Sequence, residues 1–119
     1  MLYRRPVSAL PLILLGACGT DNAPASGSYG VTSDCANATQ RTGTLNLPSV
    51  STSPENIAVA NATQFGFPSD TFVFVEGGQL TSTEGARECK AQIFATGTRQ
   101  FVFACRDNGK VICTITMKQ

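Results

Sequence analysis

Residues 89–117 read CKAQIFATGTRQFVFACRDNGKVICTITM. Apolar side chains recur at every second position: Cys89, Ala91, Ile93 and Ala95; then Phe101, Phe103 and Cys105; then Val111, Cys113, Ile115 and Met117. A period of two is the pattern of a strand buried on one face. Thr96-Gly97-Thr98 and Asp107-Asn108-Gly109 separate the three runs with turn residues. The stretch therefore predicts a three-stranded antiparallel meander with one apolar face. Asn108-Gly109 favours a two-residue type I′ hairpin, but that loop alone would pair Cys105 with Ile112 and turn the two apolar sets to opposite faces. A three-residue loop, Asp107-Asn108-Gly109 with Gly109 left-handed in a G1 bulge, keeps the sets together and is the expected form. The same parity predicts a three-residue loop at Thr96-Gly97-Thr98.

Upstream, shorter apolar runs alternate with turn residues. Thr42–Leu47, Ile57–Ala60, Thr71–Val75 and Gln79–Ser82 are strand candidates, and Phe65-Gly66-Phe67-Pro68 interrupts the series. The polar residues are mostly Thr, Ser, Asn and Gln, with only 14% charged residues. Thr suits a half-buried pleated surface, whereas Lys and Glu, the usual charged surface residues of helices, are sparse. Glu84 to Gln92 has some helical composition, but Gly85 and the alternation beyond it argue for strand. The expected fold is all-β: a small antiparallel β-sandwich or partly open barrel of six to eight strands over residues 35–119. A domain of about 85 residues buries a modest core and commonly needs covalent staples.

The N-terminus is built differently. Arg4 and Arg5 precede an apolar run from Val7 to Leu15, too short for a permanent span, which needs about 20 residues. Residues 1–17 read as a signal peptide. The run closes on Leu15-Gly16-Ala17-Cys18, which resembles the lipobox of bacterial lipoproteins: an aliphatic residue at −3, small residues at −2 and −1, and cysteine at +1. The resemblance implies cleavage before Cys18, a diacylglyceryl thioether on its sulfur and acylation of the new amine, two or three chains being enough for stable anchoring. Gly19, in place of Asp, implies the outer membrane rather than the inner membrane of a Gram-negative envelope. Residues 18–34 are rich in Gly, Ser, Ala, Asp and Asn and read as the lipidated cysteine and a flexible tether, with Tyr29 and Val31 as an alternative start of the first strand.

Lipidation of Cys18 resolves an odd cysteine count. Cys35, Cys89, Cys105 and Cys113 remain, an even number in an oxidising compartment, and two disulfides are expected. Zinc is disfavoured because no pair has C-x₂-C spacing and histidine is absent. The expected pairing is Cys35–Cys89 with Cys105–Cys113, since the latter two meet across a tight turn. Direct opposition across the predicted loops favours the alternative, Cys89–Cys105 with Cys35–Cys113.

Chemistry is sparse. No histidine is present to serve as a base or metal ligand, and no tryptophan to stack on a base or sugar. No G-x-S-x-G, P-loop or dinucleotide fingerprint occurs. The carboxylates Asp21, Asp34, Asp70, Asp107, Glu55, Glu76, Glu84 and Glu88 show no spacing that suggests a catalytic pair. Asp107-Asn108-Gly109 lacks the later ligands of a calcium loop and reads as a turn. Asn37-Ala38-Thr39 and Asn61-Ala62-Thr63 match the glycosylation acceptor and are chance matches in a bacterial lipoprotein. Removing Arg4 and Arg5 leaves seven basic residues against eight acidic ones, so charge gives no reason to expect nucleic acid. Arg87, Arg99, Arg106, Lys90 and Lys110 crowd toward the C-terminal meander as a possible basic face.

The expectation is a non-catalytic, lipid-anchored protein of the cell envelope, without catalytic residues, metal or cofactor. It would bind an envelope or extracellular protein, a glycan, or the edge strand of another sheet. The alternative is a lipid-anchored inhibitor of a hydrolase such as lysozyme. Gly85-Ala86-Arg87 is similar to the Ser-Gly-Ala-Arg segment of bacterial lysozyme inhibitors, which are also small disulfide-bonded β-barrel lipoproteins, although Glu88 stands where that family has an aromatic residue.

Overall fold

A computed structural model describes residues 22–119. The signal peptide, the lipobox and Cys18 lie outside the described residues. Eight strands follow in chain order: β1 (Gly27–Cys35), β2 (Arg41–Leu47), β3 (Glu55–Ala58), β4 (Thr71–Val75), β5 (Gln79–Glu84), β6 (Arg87–Gln92), β7 (Gln100–Asp107) and β8 (Lys110–Lys118). Among the described residues one 3-10 turn, Ala62–Phe65, lies between β3 and β4. All eight strands form one antiparallel sheet in the order β2-β1-β8-β7-β6-β5-β4-β3. The sheet curls into an open half-barrel, the partly open barrel of the two expected forms.

The predicted meander is present as β6-β7-β8, but its loops differ from expectation. Asp107 pairs with Lys110, so the turn is the two-residue form, with Asn108 and Gly109 at φ 51° and 82° as a type I′ turn requires. Parity is restored one residue later. Arg106 faces Val111 but Cys105 faces Cys113, leaving Ile112 as the extra residue of a bulge. Inside the bulge the alternation runs Cys113, Ile115, Met117, all buried; Val111, beyond it, points outward and is 49% exposed. At the other end β6 stops at Gln92, and the Ile93 N–H adds one more bond toward β5 by donating to the Gly78 carbonyl at 2.7 Å. The link from Ile93 to Arg99 is therefore longer than three residues.

Residues 27–34, expected to be tether, instead form most of β1 between β2 and β8. Their apolar content is low, but Tyr29, Val31 and Ser33 all fall on the inner face and are buried. The strand is held by ladders on both sides, which a local reading of composition does not reveal.

The disulfide pairing is also corrected. The bridges are Cys35–Cys113 and Cys89–Cys105, in place of Cys35–Cys89 and Cys105–Cys113. The register explains why. Cys89 faces Cys105, Cys105 faces Cys113, and Cys113 faces Cys35, so four cysteines form one lateral row on β6, β7, β8 and β1. A Cys105–Cys113 bridge would strand Cys35 and Cys89 three strand spacings apart, about 14 Å, beyond disulfide reach. Narrow and hydrogen-bonded pairs also alternate along an antiparallel ladder. The two bridges span narrow pairs, with α-carbons 4.0 and 3.9 Å apart, which leaves Cys105 and Cys113 as the wider, hydrogen-bonded pair.

The concave face is filled by aromatic rings. Phe67 packs 4.8 Å from both Phe72 and Phe103, and Phe101 bridges Phe103 to Tyr29. Phe65 and Phe67 come from the β3–β4 link, which read in the sequence as a mere interruption. That link crosses the open side of the half-barrel. Ser33 Oγ donates to the Phe65 carbonyl, an Arg41 Nη to the Gln64 carbonyl and Arg87 Nη2 to the Gly66 carbonyl. Gly43 makes room for it, since a β-carbon there would lie 2.6 Å from the Phe65 ring.

Candidate functional site

The two sheet edges, β2 and β3, face one another without pairing. Between them lies a cleft of about 360 Å³, lined on one side by Ser28, Thr44, Asn46 and Pro48 and on the other by Ala58, Ala60 and Asn61. Its walls are neutral. Hydroxyls and amides come from Ser28, Thr44, Asn46 and Asn61, and small methyl groups from the two alanines. Asn61 adopts a left-handed conformation (φ 68°) at the start of the 3-10 turn, without a side-chain capping bond.

The two edges are not equally open. β3 has four residues, begins at Glu55 and follows Pro54, and a short strand with a flanking charge and proline is a blunted edge. β2 has seven residues, with its only charge, Arg41, at one end, and contains neither proline nor bulge. The ladder fixes which of its groups face outward. Counting from the narrow Cys35–Cys113 pair, Gly30–Thr44 is also narrow, so Thr42, Thr44 and Asn46 turn their main-chain N–H and C=O away from β1. Those groups border the seam.

The acidic residues noted in the sequence are dispersed, and four of them are engaged in local structure. Asp34 accepts from Gln40 Nε2 at 2.8 Å, and Glu55 accepts the N–H groups of Ser51 and Thr52. Asp70 accepts the Thr63 N–H, and Glu88 pairs with Lys90 at 3.4 Å. Asp21 lies outside the described residues. Among the described residues no three His, Cys, Asp or Glu side chains group as metal ligands.

The basic residues do not form a uniform face either. Arg87 lies across from Asp107, Arg106 across from Glu88, and Lys110 across from Asp107, so acids interleave with bases. The segment Gly85-Ala86-Arg87 forms the β5–β6 turn and the start of β6, and its guanidinium is committed to the Gly66 carbonyl. Asn37 and Asn61, in the two acceptor-like triplets, are both exposed. Burial holds the Tyr29 phenol above its ordinary range, against the nearby positive charge of Arg99, so it stays protonated while donating to the Ala25 carbonyl.

No residue of the seam was singled out by the sequence except Asn61, as part of a triplet. Comparisons with family models, with curated proteins and with solved structures return no match.

Proposed function

We propose that this protein is a lipid-anchored, non-catalytic binding module of the cell envelope, held in the outer membrane through Cys18, whose β2 edge takes up an extended segment of a partner protein. The observation that carries the reading is the unpaired seven-residue edge of β2 beside a neutral cleft. Main-chain groups on such an edge supply affinity to an added strand, and pockets for alternate side chains supply selectivity. The neutral lining favours an uncharged segment, because burying an unpaired charge against it would cost desolvation without return.

Two results are expected. Cys18→Ala should move the protein from the membrane to the soluble fraction of fractionated cells; unchanged membrane association would remove the anchor from the proposal. A photo-crosslinking residue at Thr44 should yield a discrete covalent adduct in intact cells, whereas the same residue at Lys90, on the outer face of β6, should not. Equal labelling at the two positions, or none at Thr44, would contradict binding at the seam.

A further inference from the structure

The distance between the lipid and the domain is short. Asn22, the first described residue, follows Cys18 by four positions. Four residues span at most about 14 Å when fully extended. The headgroup layer takes up about 5–7 Å of that on one side of a bilayer. The end of the domain that carries Asn22 is therefore held at the membrane surface if Cys18 bears the lipid.

That end is defined by contacts. Asn22 lies against Gly78, where a β-carbon would come within 2.9 Å of the Asn22 Cβ and 2.6 Å of the Ile93 carbonyl oxygen. The Gly97 N–H donates to the Ala23 carbonyl and the Ala25 N–H to the Thr98 carbonyl, each at 2.8 Å, and Pro24 is buried between them in sequence. The incoming chain is thus fixed along the link between β6 and β7. On that link Phe94 is 83% exposed, the most exposed large apolar residue among the described residues. Alternation accounts for it: Ile93 is buried in the barrel, so its neighbour projects outward. Arg99 on the same link and Lys118, across from Gln100, are partly offset by Glu76 beside the Gly77–Gly78 turn, so these residues leave a net charge of only about +1.

We propose that Phe94 inserts into the interfacial region of the membrane that carries Cys18, a second contact that fixes the domain with the β6–β7 link toward the lipid and the Asn108–Gly109 turn away from it. The proposal rests on the lipid-anchor reading. An aromatic ring on a surface held within reach of the headgroups gains from leaving water, and the mixed charge nearby makes the contact independent of anionic lipid. The two ends are far enough apart to distinguish. From the Gln100–Lys118 pair to the Asp107–Lys110 pair the strands rise about 23 Å.

The chain contains no tryptophan, so Phe94→Trp and Val111→Trp each create a single fluorophore, one at each end. Both positions are exposed, and neither change disturbs the core. The full lipidated chain is reconstituted in phosphatidylethanolamine–phosphatidylglycerol vesicles containing acyl-brominated lipid, then floated and measured. In the floated fraction F94W should be blue-shifted and quenched at least about fivefold more than V111W, as expected for a ring inserted 5–10 Å beside one held well clear. A floated protein in which V111W is quenched as much, or neither is quenched, keeps its anchor and overturns the orientation. A protein that does not float has no anchor, and both readings fall together.

Discussion

Replacing Cys35 and Cys113 together by alanine should lower the stability of the oxidised domain by about 4.5 kcal/mol, and replacing Cys89 and Cys105 together by about 3 kcal/mol. The difference follows from loop length. The first bridge closes a separation of 78 residues and the second one of 16, and the entropy removed from the unfolded chain grows with the logarithm of that number. Either loss is a large part of the 5–15 kcal/mol that stabilises a typical domain. Both partners must be replaced together. A lone Cys113 thiol would face Cys105 across β7 and β8 and attack the remaining bridge. Urea unfolding of the two double variants and the parent protein gives the comparison. A larger loss from the Cys89/Cys105 pair would show that native packing around that bridge, rather than chain entropy, governs its contribution.

The same row of cysteines shows which parts of this fold a sequence can disclose. Alternation in residues 89–117 was sufficient for three strands and their inner face, because that information is local. The conflict at Asn108-Gly109 was also legible: a two-residue turn and matched faces require one extra residue somewhere. Parity does not say where. A G1 bulge in the loop and a bulge at Ile112 satisfy it equally, and the structure uses the second while keeping the preferred type I′ turn. The bulge in turn sets Cys105 across from Cys113, and only the position of β1 decides how the row pairs. β1 itself reads as tether because Tyr29 and Val31 are its only large inward side chains; its remaining stabilisation comes from the ladders to β2 and β8, the latter some eighty residues away in sequence. The seam was beyond reach for a similar reason. Ser28, Thr44, Asn46, Ala58, Ala60 and Asn61 form no motif, and they meet only because the sheet curls and stops one ladder short of closure.

What closes the half-barrel in place of that ladder can be measured. Phe67→Ala should destabilise the domain by about 3–5 kcal/mol, as much as Phe103→Ala in the middle of β7. Phe67 belongs to no strand, yet it is only 1% exposed and touches the Phe72 and Phe103 rings, the latter edge-on at 89°. Its removal would open a cavity against Phe72 of β4 and Phe103 of β7 that cannot fully collapse, since both strands have ladders on both sides and β7 is also tied by a bridge. Phe94→Ala is the internal comparison. An exposed ring carries no such packing and its loss from the soluble domain should fall within about 0.5 kcal/mol. Urea unfolding under non-reducing conditions separates the cases. If Phe67→Ala matched Phe94→Ala, the β3–β4 link would be a peripheral loop, and the sheet would have to hold its curvature without it. If it matches Phe103→Ala, the link is part of the core: with Ser33, Arg41 and Arg87 bound to its carbonyls, it joins the two halves of the sheet.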